Sequence, residues 1–98
     1  MEMTDGNRAL SSFEWNEAKR RSNIQKHGID FEDAVFALAA PRFEYVSPRG
    51  EDRTVAICML EERLIAVIYT MRGTSCRIIC VRVARNNERR AYHAYYPG

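Results

Sequence analysis

Three features that mark exported, membrane-bound or metal-binding proteins are missing from this sequence. No apolar run, including Leu64 to Tyr69, approaches the ~20 residues that a helix needs to cross a bilayer. The N-terminus shows no basic-then-apolar signal pattern. The three cysteines, Cys58, Cys76 and Cys80, lack the spacing of a zinc knuckle or a redox dithiol. We therefore expect a cytoplasmic protein with reduced cysteines, no membrane partner, no cofactor and no metal site.

The length and composition leave room for one domain. At 98 residues the chain can build a single shallow core, because a domain of this size buries only about two-thirds of its unfolded surface. Hydrophobic residues make up 46% of the sequence and charged residues 29%, which is too apolar for a disordered chain. Residues 1–12 show no periodicity, so we interpret them as a loose N-terminal leader before a single domain over 13–98.

The charge is distributed unevenly along the chain. The net charge is only +2, yet the segment from Arg63 to His93 contains seven arginines, no lysine and a single acid, Glu88. A planar guanidinium suits bidentate contact with phosphate or carboxylate. The C-terminal third is therefore predicted to meet an anion, either nucleic acid or an acidic partner. A solvated basic surface is the alternative interpretation.

Periodicity predicts two N-terminal helices, an antiparallel sheet of about four strands and a C-terminal helix, an α+β fold. Asn16 and Asp30 are suited to cap the first two helices at their N-termini, and Gly28 is suited to end the first. Because residues 64–69 are apolar at every position, they should form a central strand covered on both faces. Strands are predicted over 13–15 at an edge and over 43–46, 54–59, 64–70 and 77–84.

Several side chains are of the types that cleave RNA without a metal. In that reaction a base takes the proton from the 2′-OH, cations stabilise the phosphorane and an acid protonates the leaving 5′-oxygen. His27 is a candidate for proton transfer, since imidazole changes its charge near neutral pH; a helix-capping or packing role is the alternative. Lys26, Arg53 and Arg72 could contact phosphate, although each could equally be a solvated charge.

Arg77 and Arg82 are five residues apart in the last predicted strand. In a regular strand they point to opposite faces, so one is directed toward a covered side unless a β-bulge changes the parity. A covered arginine needs an acid partner or an anion. For Arg82 an ion pair and a phosphate contact remain equally open, while for Arg77 we favour the functional role. The acids considered as partners of Arg82 are Glu14, Glu61 and Glu62.

A longer set of residues resembles the BrnT family of toxins. The similarity covers about residues 13–92, and its pieces are weak singly but specific together because they occur in order and in register. They include Phe13-Glu14-Trp15-Asn16, Lys26-His27-Gly28-Ile29, Phe31-Glu32-Asp33-Ala34, Tyr69-Thr70-Met71-Arg72-Gly73 and Arg77-Ile78-Ile79. The sequence departs from the family pattern at Cys58, where glycine is usual, and has one basic residue fewer around Arg82.

The resemblance implies a RelE-like fold with additional N-terminal helices and a metal-independent endoribonuclease that cleaves RNA and blocks translation. It also implies neutralisation by a BrnA-like antitoxin with a ribbon-helix-helix domain, through which the complex contacts operator DNA indirectly. The site would then comprise His27, Arg77 and Arg82 as catalytic residues and Arg53 and Arg72 as RNA-binding residues. Lys26, next to His27, joins the RNA-binding residues on its charge alone.

Two alternative functions stay open from the sequence. A purely structural interaction protein would explain the arginines by an acidic partner. A weak or inactive relative could serve as a corepressor that binds nucleic acid or antitoxin. Binding needs only the arginines, whereas cleavage also needs a titratable group such as His27 near them. The position of that group relative to the arginines therefore separates cleavage from binding.

Overall fold

The computed structural model describes residues 3–5, 9–49 and 52–97, with side chains for all of these except 3–5. In chain order the elements are β1 (Met3–Asp5), β2 (Phe13–Glu14), α1 (Glu17–His27), α2 (Phe31–Leu38), β3 (Arg42–Val46), β4 (Thr54–Leu60), β5 (Arg63–Arg72), β6 (Ser75–Val83) and α3 (Asn86–Tyr95). The predicted α+β fold is confirmed. Within the described ranges, no helix is both long and apolar enough to span a membrane.

The strands form one sheet in the order β1-β3-β4-β5-β6-β2. The four antiparallel neighbours β3 to β6 are the predicted central strands. The predicted edge strand β2 pairs with β6 in parallel, so the sheet is mixed. Residues 3–5 belong to the stretch that we interpreted as a loose leader, and they form β1, antiparallel to β3, instead. A strand of three residues is too short to show an alternating pattern, and the rest of the leader up to residue 8 lies outside the described residues.

The first two helices begin at the predicted capping residues, and the first ends at the predicted glycine. Asn16 accepts a hydrogen bond from the Lys19 backbone N–H at 3.1 Å, and Asp30 accepts one from the Glu32 N–H at 3.0 Å, which satisfies donors left free at a helix N-terminus. Gly28 ends α1 with a φ of 69°, a conformation that costs glycine little. The turn at Gly28 leaves the last residues of α1 exposed beside the sheet.

Helices cover both faces of the sheet. On the α1/α2 face the core contains Phe31 and Leu38, and on the α3 face Tyr92 and Tyr96 pack against the second cluster. The side chains of β5 alternate between these two cores, so the predicted central strand with two covered faces is confirmed. Those in the first core are Ile65, Val67 and Tyr69, and those in the second are Leu64 and Ala66. Each fully buried aliphatic side chain of this kind contributes about 1.5–3 kcal/mol.

The three cysteines are free thiols. Cys58 and Cys76 are buried in the cores and Cys80 is half-buried. Burial raises the pKa of Cys58 to about 12 and also raises the pKa of Cys80. These thiols therefore stay protonated near neutral pH and act as small apolar side chains.

Candidate functional site

A β-bulge in β6 brings the two strand arginines to the same face of the sheet. The register with β5 slips at Ile79, which is the extra residue. Ile78 and Val81, on either side of it, both lie in the core beneath α1 and α2. Their strand neighbours Arg77 and Arg82 therefore both face the α3 side. In a regular strand two residues five apart would face opposite sides, and the extra residue of the bulge is what turns both arginines to one side.

A cavity of about 260 Å³ opens on the α3 face beside β6. Its basic side chains are Arg49, Arg53, Arg82 and Arg85, and the rest of its lining is Tyr45, Ser47, Pro48, Val55, Ile68, Ile79 and Cys80. In the part of the chain that the structure describes, only Arg82 of the four arginines forms an ion pair. The hollow thus combines an apolar floor with unneutralised positive charge, a combination that suits the backbone and bases of a nucleic acid.

Arg82 is held in place by the buried carboxylate of Glu88. Its Nη1 donates to Glu88 Oε1 at 2.8 Å, and its Nη2 donates to Oε2 at 3.0 Å. The same carboxylate also accepts hydrogen bonds from the Tyr45 hydroxyl and from the Arg85 backbone N–H. A guanidinium has five N–H donors, so Arg82 keeps donors for an anion after binding Glu88 and the Val83 carbonyl.

The charges of this cluster are fixed by its hydrogen bonds. Burial alone would raise the pKa of Glu88, but the bonds from Arg82, Arg85 and Tyr45 outweigh it and hold that pKa below its ordinary value. The bonds to Glu88 raise the pKa of Arg82. Burial, reinforced by Glu88, raises the pKa of Tyr45. Glu88 is therefore an anion, Tyr45 a neutral donor and Arg82 a cation across the physiological range.

A second hollow of about 200 Å³ lies between β6 and α1. It is lined by Lys19, Ser22, Asn23, Lys26 and His27 together with Ile79 and Cys80. Ile79 and Cys80 also line the arginine-rich cavity, so the two hollows adjoin at the bulge. We call them together the β6 groove. The groove brings four predicted site residues together, namely His27, Lys26, Arg53 and Arg82.

Asn23 fixes the two sides of the groove to each other. Its Nδ2 donates to the carbonyls of Val81 at 2.9 Å and Ile29 at 3.0 Å, and its Oδ1 accepts from the Val81 N–H at 3.0 Å. The buried amide thus takes the place of a neighbouring strand beyond the short β2. It thereby sets the separation between the end of α1, which carries His27, and the segment of β6 that carries Arg82.

We expect Asn23→Ala to lower the free energy of unfolding by about 2–4 kcal/mol, because it leaves buried backbone groups unpaired. Ser22→Ala is the matched control, since that side chain is exposed, and its effect should stay within about 0.5 kcal/mol. Urea unfolding followed by circular dichroism measures both. Superposable curves for the two variants would show that the amide does not fix α1 to β6.

Two predicted site residues lie outside the groove. Arg77 donates to Glu14 Oε2 at 2.9 Å, because β2 pairs in parallel with β6 and places these two residues opposite each other. Arg72 is exposed at the end of β5 and lines neither hollow. The structure therefore separates these two arginines from the four residues that the groove gathers.

The acid partner of Arg82 differs from those that the sequence suggested. The sequence points to Glu14, Glu61 or Glu62, whereas the partner in the structure is Glu88. A signal was available, since Glu88 is the single acid between Arg63 and His93. Its place in the first turn of α3 turns the carboxylate back toward β6, six residues earlier in the chain. The sequence also yields no prediction for four other residues of the site, namely Tyr45, Arg49, Arg85 and Asn23.

Fold and groove define a small α+β protein with a basic groove along strand β6 of its sheet. The family model described as "Ribonuclease toxin, BrnT, of type II toxin-antitoxin system" matches residues 15–88. The chain is also similar to the 1.1 Å crystal structure of the Brucella abortus ribonuclease toxin BrnT, with 34% identity and a TM-score of 0.61 over 78% of this chain and 100% of that chain. A search of curated proteins finds no match. The chain belongs to the BrnT family of ribonuclease toxins of type II toxin–antitoxin systems.

Proposed function

We propose that this BrnT-family chain is a metal-independent endoribonuclease that cleaves RNA and thereby inhibits translation. The observation that carries the proposal is the β6 groove, in which His27 and Lys26 face the same bulge as Arg53 and Arg82. A histidine beside arginines supplies both proton transfer and charge stabilisation, whereas a purely nucleic-acid-binding surface needs the arginines alone.

The arginines of the groove would bind the scissile phosphate. Arg82 is already oriented by Glu88, so its remaining N–H donors need little reorganisation as negative charge grows on the phosphorane. Arg53 and Arg85 would add positive charge around the same phosphate. Arg77 and Arg72, outside the groove, would contact RNA further along the strand.

His27 and Lys26 would act at the other side of the groove. A base removes the proton from the 2′-oxygen, which attacks the phosphorus, and the bond from phosphorus to the 5′-oxygen breaks as that oxygen receives a proton. The products are a 2′,3′-cyclic phosphate and a 5′-hydroxyl. We assign one of the two proton transfers to His27. Lys26 would hold a neighbouring phosphate.

A type II system supplies an antitoxin, and we propose that this partner is BrnA-like. Its ribbon-helix-helix domain would bind the operator DNA, so the toxin would reach DNA only through the antitoxin. The basic groove supports this pairing as well, because an antitoxin that covers it would block access of RNA.

Induced expression in cells tests the proposal. We expect growth arrest, new RNA ends by primer extension and rescue by co-expression of the neighbouring reading frame. Purified toxin should cleave RNA equally well in excess EDTA. Dependence on magnesium after chelation would contradict the metal-independent chemistry. Normal growth with intact RNA, from a folded product, would instead favour the corepressor function.

A further inference from the structure

The first turns of α3 present a second basic surface that the β6 groove does not include. Asn86, Arg89, Arg90 and His93 recur at spacings of three and four residues, so they lie on one face of the helix. All four are exposed and together line a shallow hollow. Glu88, between them in sequence, points the other way and is fully buried. We call Asn86, Arg89, Arg90 and His93 the α3 stripe.

The arginines of the α3 stripe stand apart from the ion pairs of the described residues. Among the residues that the structure describes, no carboxylate forms an ion pair with Arg89 or Arg90. Other arginines do have such partners: Arg20 binds Glu17 and Asp30, Arg42 binds Glu44, Arg77 binds Glu14 and Arg82 binds Glu88. The guanidinium groups of the stripe are therefore available to an external anion.

The α3 stripe continues the β6 groove. Arg85 lines the groove and is the N-cap residue of α3, directly before Asn86. From Asn86 to His93 the stripe extends about 10 Å along the helix, at 1.5 Å per residue. Arg89 and His93 also line a further hollow with Arg63, in which Glu62 is the one acidic lining residue. A single strand that leaves the groove past Arg85 thus meets cationic side chains along its path.

We propose that the α3 stripe binds the sugar–phosphate backbone of the RNA beyond the scissile phosphate. This inference rests on the proposed function, since it assigns the stripe to the same RNA strand that the groove holds. Arginines on a helix are suited to this task, because they are planar, permanently charged and carried by a rigid element. The site would accept phosphates without reading the bases, so it would add affinity for longer RNA rather than cleavage specificity.

The test compares two variants that each remove two units of positive charge, Arg89→Ala/Arg90→Ala and Arg21→Glu. Arg21 is 77% exposed on α1 and is 3.8 Å from its acid partner Glu17, so it controls for net charge. Binding of 2′-O-methyl RNA of about 5 and about 20 nucleotides is measured by fluorescence anisotropy over a range of salt concentrations. Such RNA has no free 2′-hydroxyl and cannot be cleaved by the proposed route. Thermal melting checks that both variants are folded.

We expect the double variant to bind the longer RNA on the order of tenfold more weakly and the shorter RNA within about twofold of wild type. The slope of log K against log salt for the longer RNA should fall by about 1.4, because each lost contact to a single strand contributes about 0.7. Arg21→Glu should leave affinity and slope unchanged. These three results together support the α3 stripe as a backbone site.

Three outcomes would overturn the inference. An unchanged salt slope would show that the stripe touches no phosphate. Equal weakening of short and long RNA would place Arg89 and Arg90 in the groove itself. Unchanged RNA binding with loss of neutralisation by the antitoxin would assign the stripe to that protein. Since the RNA used is not cleavable, a wild-type protein without ribonuclease activity would contradict the proposed function and leave this test intact.

Discussion

Arg82→Ala is expected to abolish growth arrest and to lower RNA cleavage by a factor of about 10² or more. Removal of one oriented cation from a transition state has an effect of that order. The same change leaves Glu88 fully buried without its cation, and breaking a buried ion pair in this way costs about 3–5 kcal/mol. Cleavage of labelled RNA by purified protein measures the first effect, and urea unfolding measures the second.

Two further variants separate lost chemistry from lost stability. Arg82→Lys keeps the positive charge beside Glu88 but cannot form the bidentate contact. We expect this variant to fold, and we expect its rate of RNA cleavage to be lower than that of wild type by a factor of about ten or more. Arg53→Ala removes a groove cation that has no acid partner in the described residues, so it should lose activity with stability changed by less than about 0.5 kcal/mol. Arg21→Ala, on an exposed turn of α1, is the control for loss of an arginine. If Arg82→Lys and Arg53→Ala both cleaved RNA at the wild-type rate, the groove would take no part in the reaction.

The elements that sequence reasoning located are those with strong local signals. The caps Asn16, Gly28 and Asp30 act through hydrogen bonds and dihedral angles within a few residues, so the sequence alone reports them. The apolar run of β5 is uninterrupted because a central strand with helices on both faces of the sheet is buried on both sides. Residue chemistry made His27 and Arg53 candidates for the site, and the resemblance to the family added support for both.

The details that sequence reasoning missed depend on contacts between distant segments. The parity of Arg77 and Arg82 turned on one extra residue, and nothing local to Ile79 marks it as the bulge. The slip is visible only in the register with β5. Asn23 likewise looks like an ordinary polar residue of a basic helix. Its amide gains its partners only in the fold, at the edge of β6 beyond β2 and at the Ile29 carbonyl.

Glu88 shows why an arginine-rich segment cannot be interpreted from charge alone. The sequence presents seven arginines and one acid between Arg63 and His93, which predicts a segment that meets an anion. In the folded chain the single acid orients Arg82, while Glu14 from the other end of the chain pairs with Arg77. The arginines thus divide into those held by carboxylates and those that are open to an anion.

His27→Ala is expected to lower the rate of RNA cleavage by about 10²–10⁴-fold, the usual contribution of a positioned acid or base. The side chain is exposed at the end of α1, so the free energy of unfolding of the variant should stay within about 0.5 kcal/mol of the wild-type value. Its affinity for 2′-O-methyl RNA should stay within about twofold of the wild-type value. Loss of cleavage with retained binding is the signature of a proton-transfer group.

Two other variants of the same helix serve as comparisons for His27→Ala. Lys26→Ala should weaken RNA binding and lower the salt slope by about 0.7, since it removes one phosphate contact, while the cleavage rate at saturating RNA changes much less. Gln25→Ala, exposed and outside the groove, should leave both properties unchanged. A His27→Ala protein that cleaves at the wild-type rate would assign the proton transfer to another group and leave the β6 groove as a binding surface.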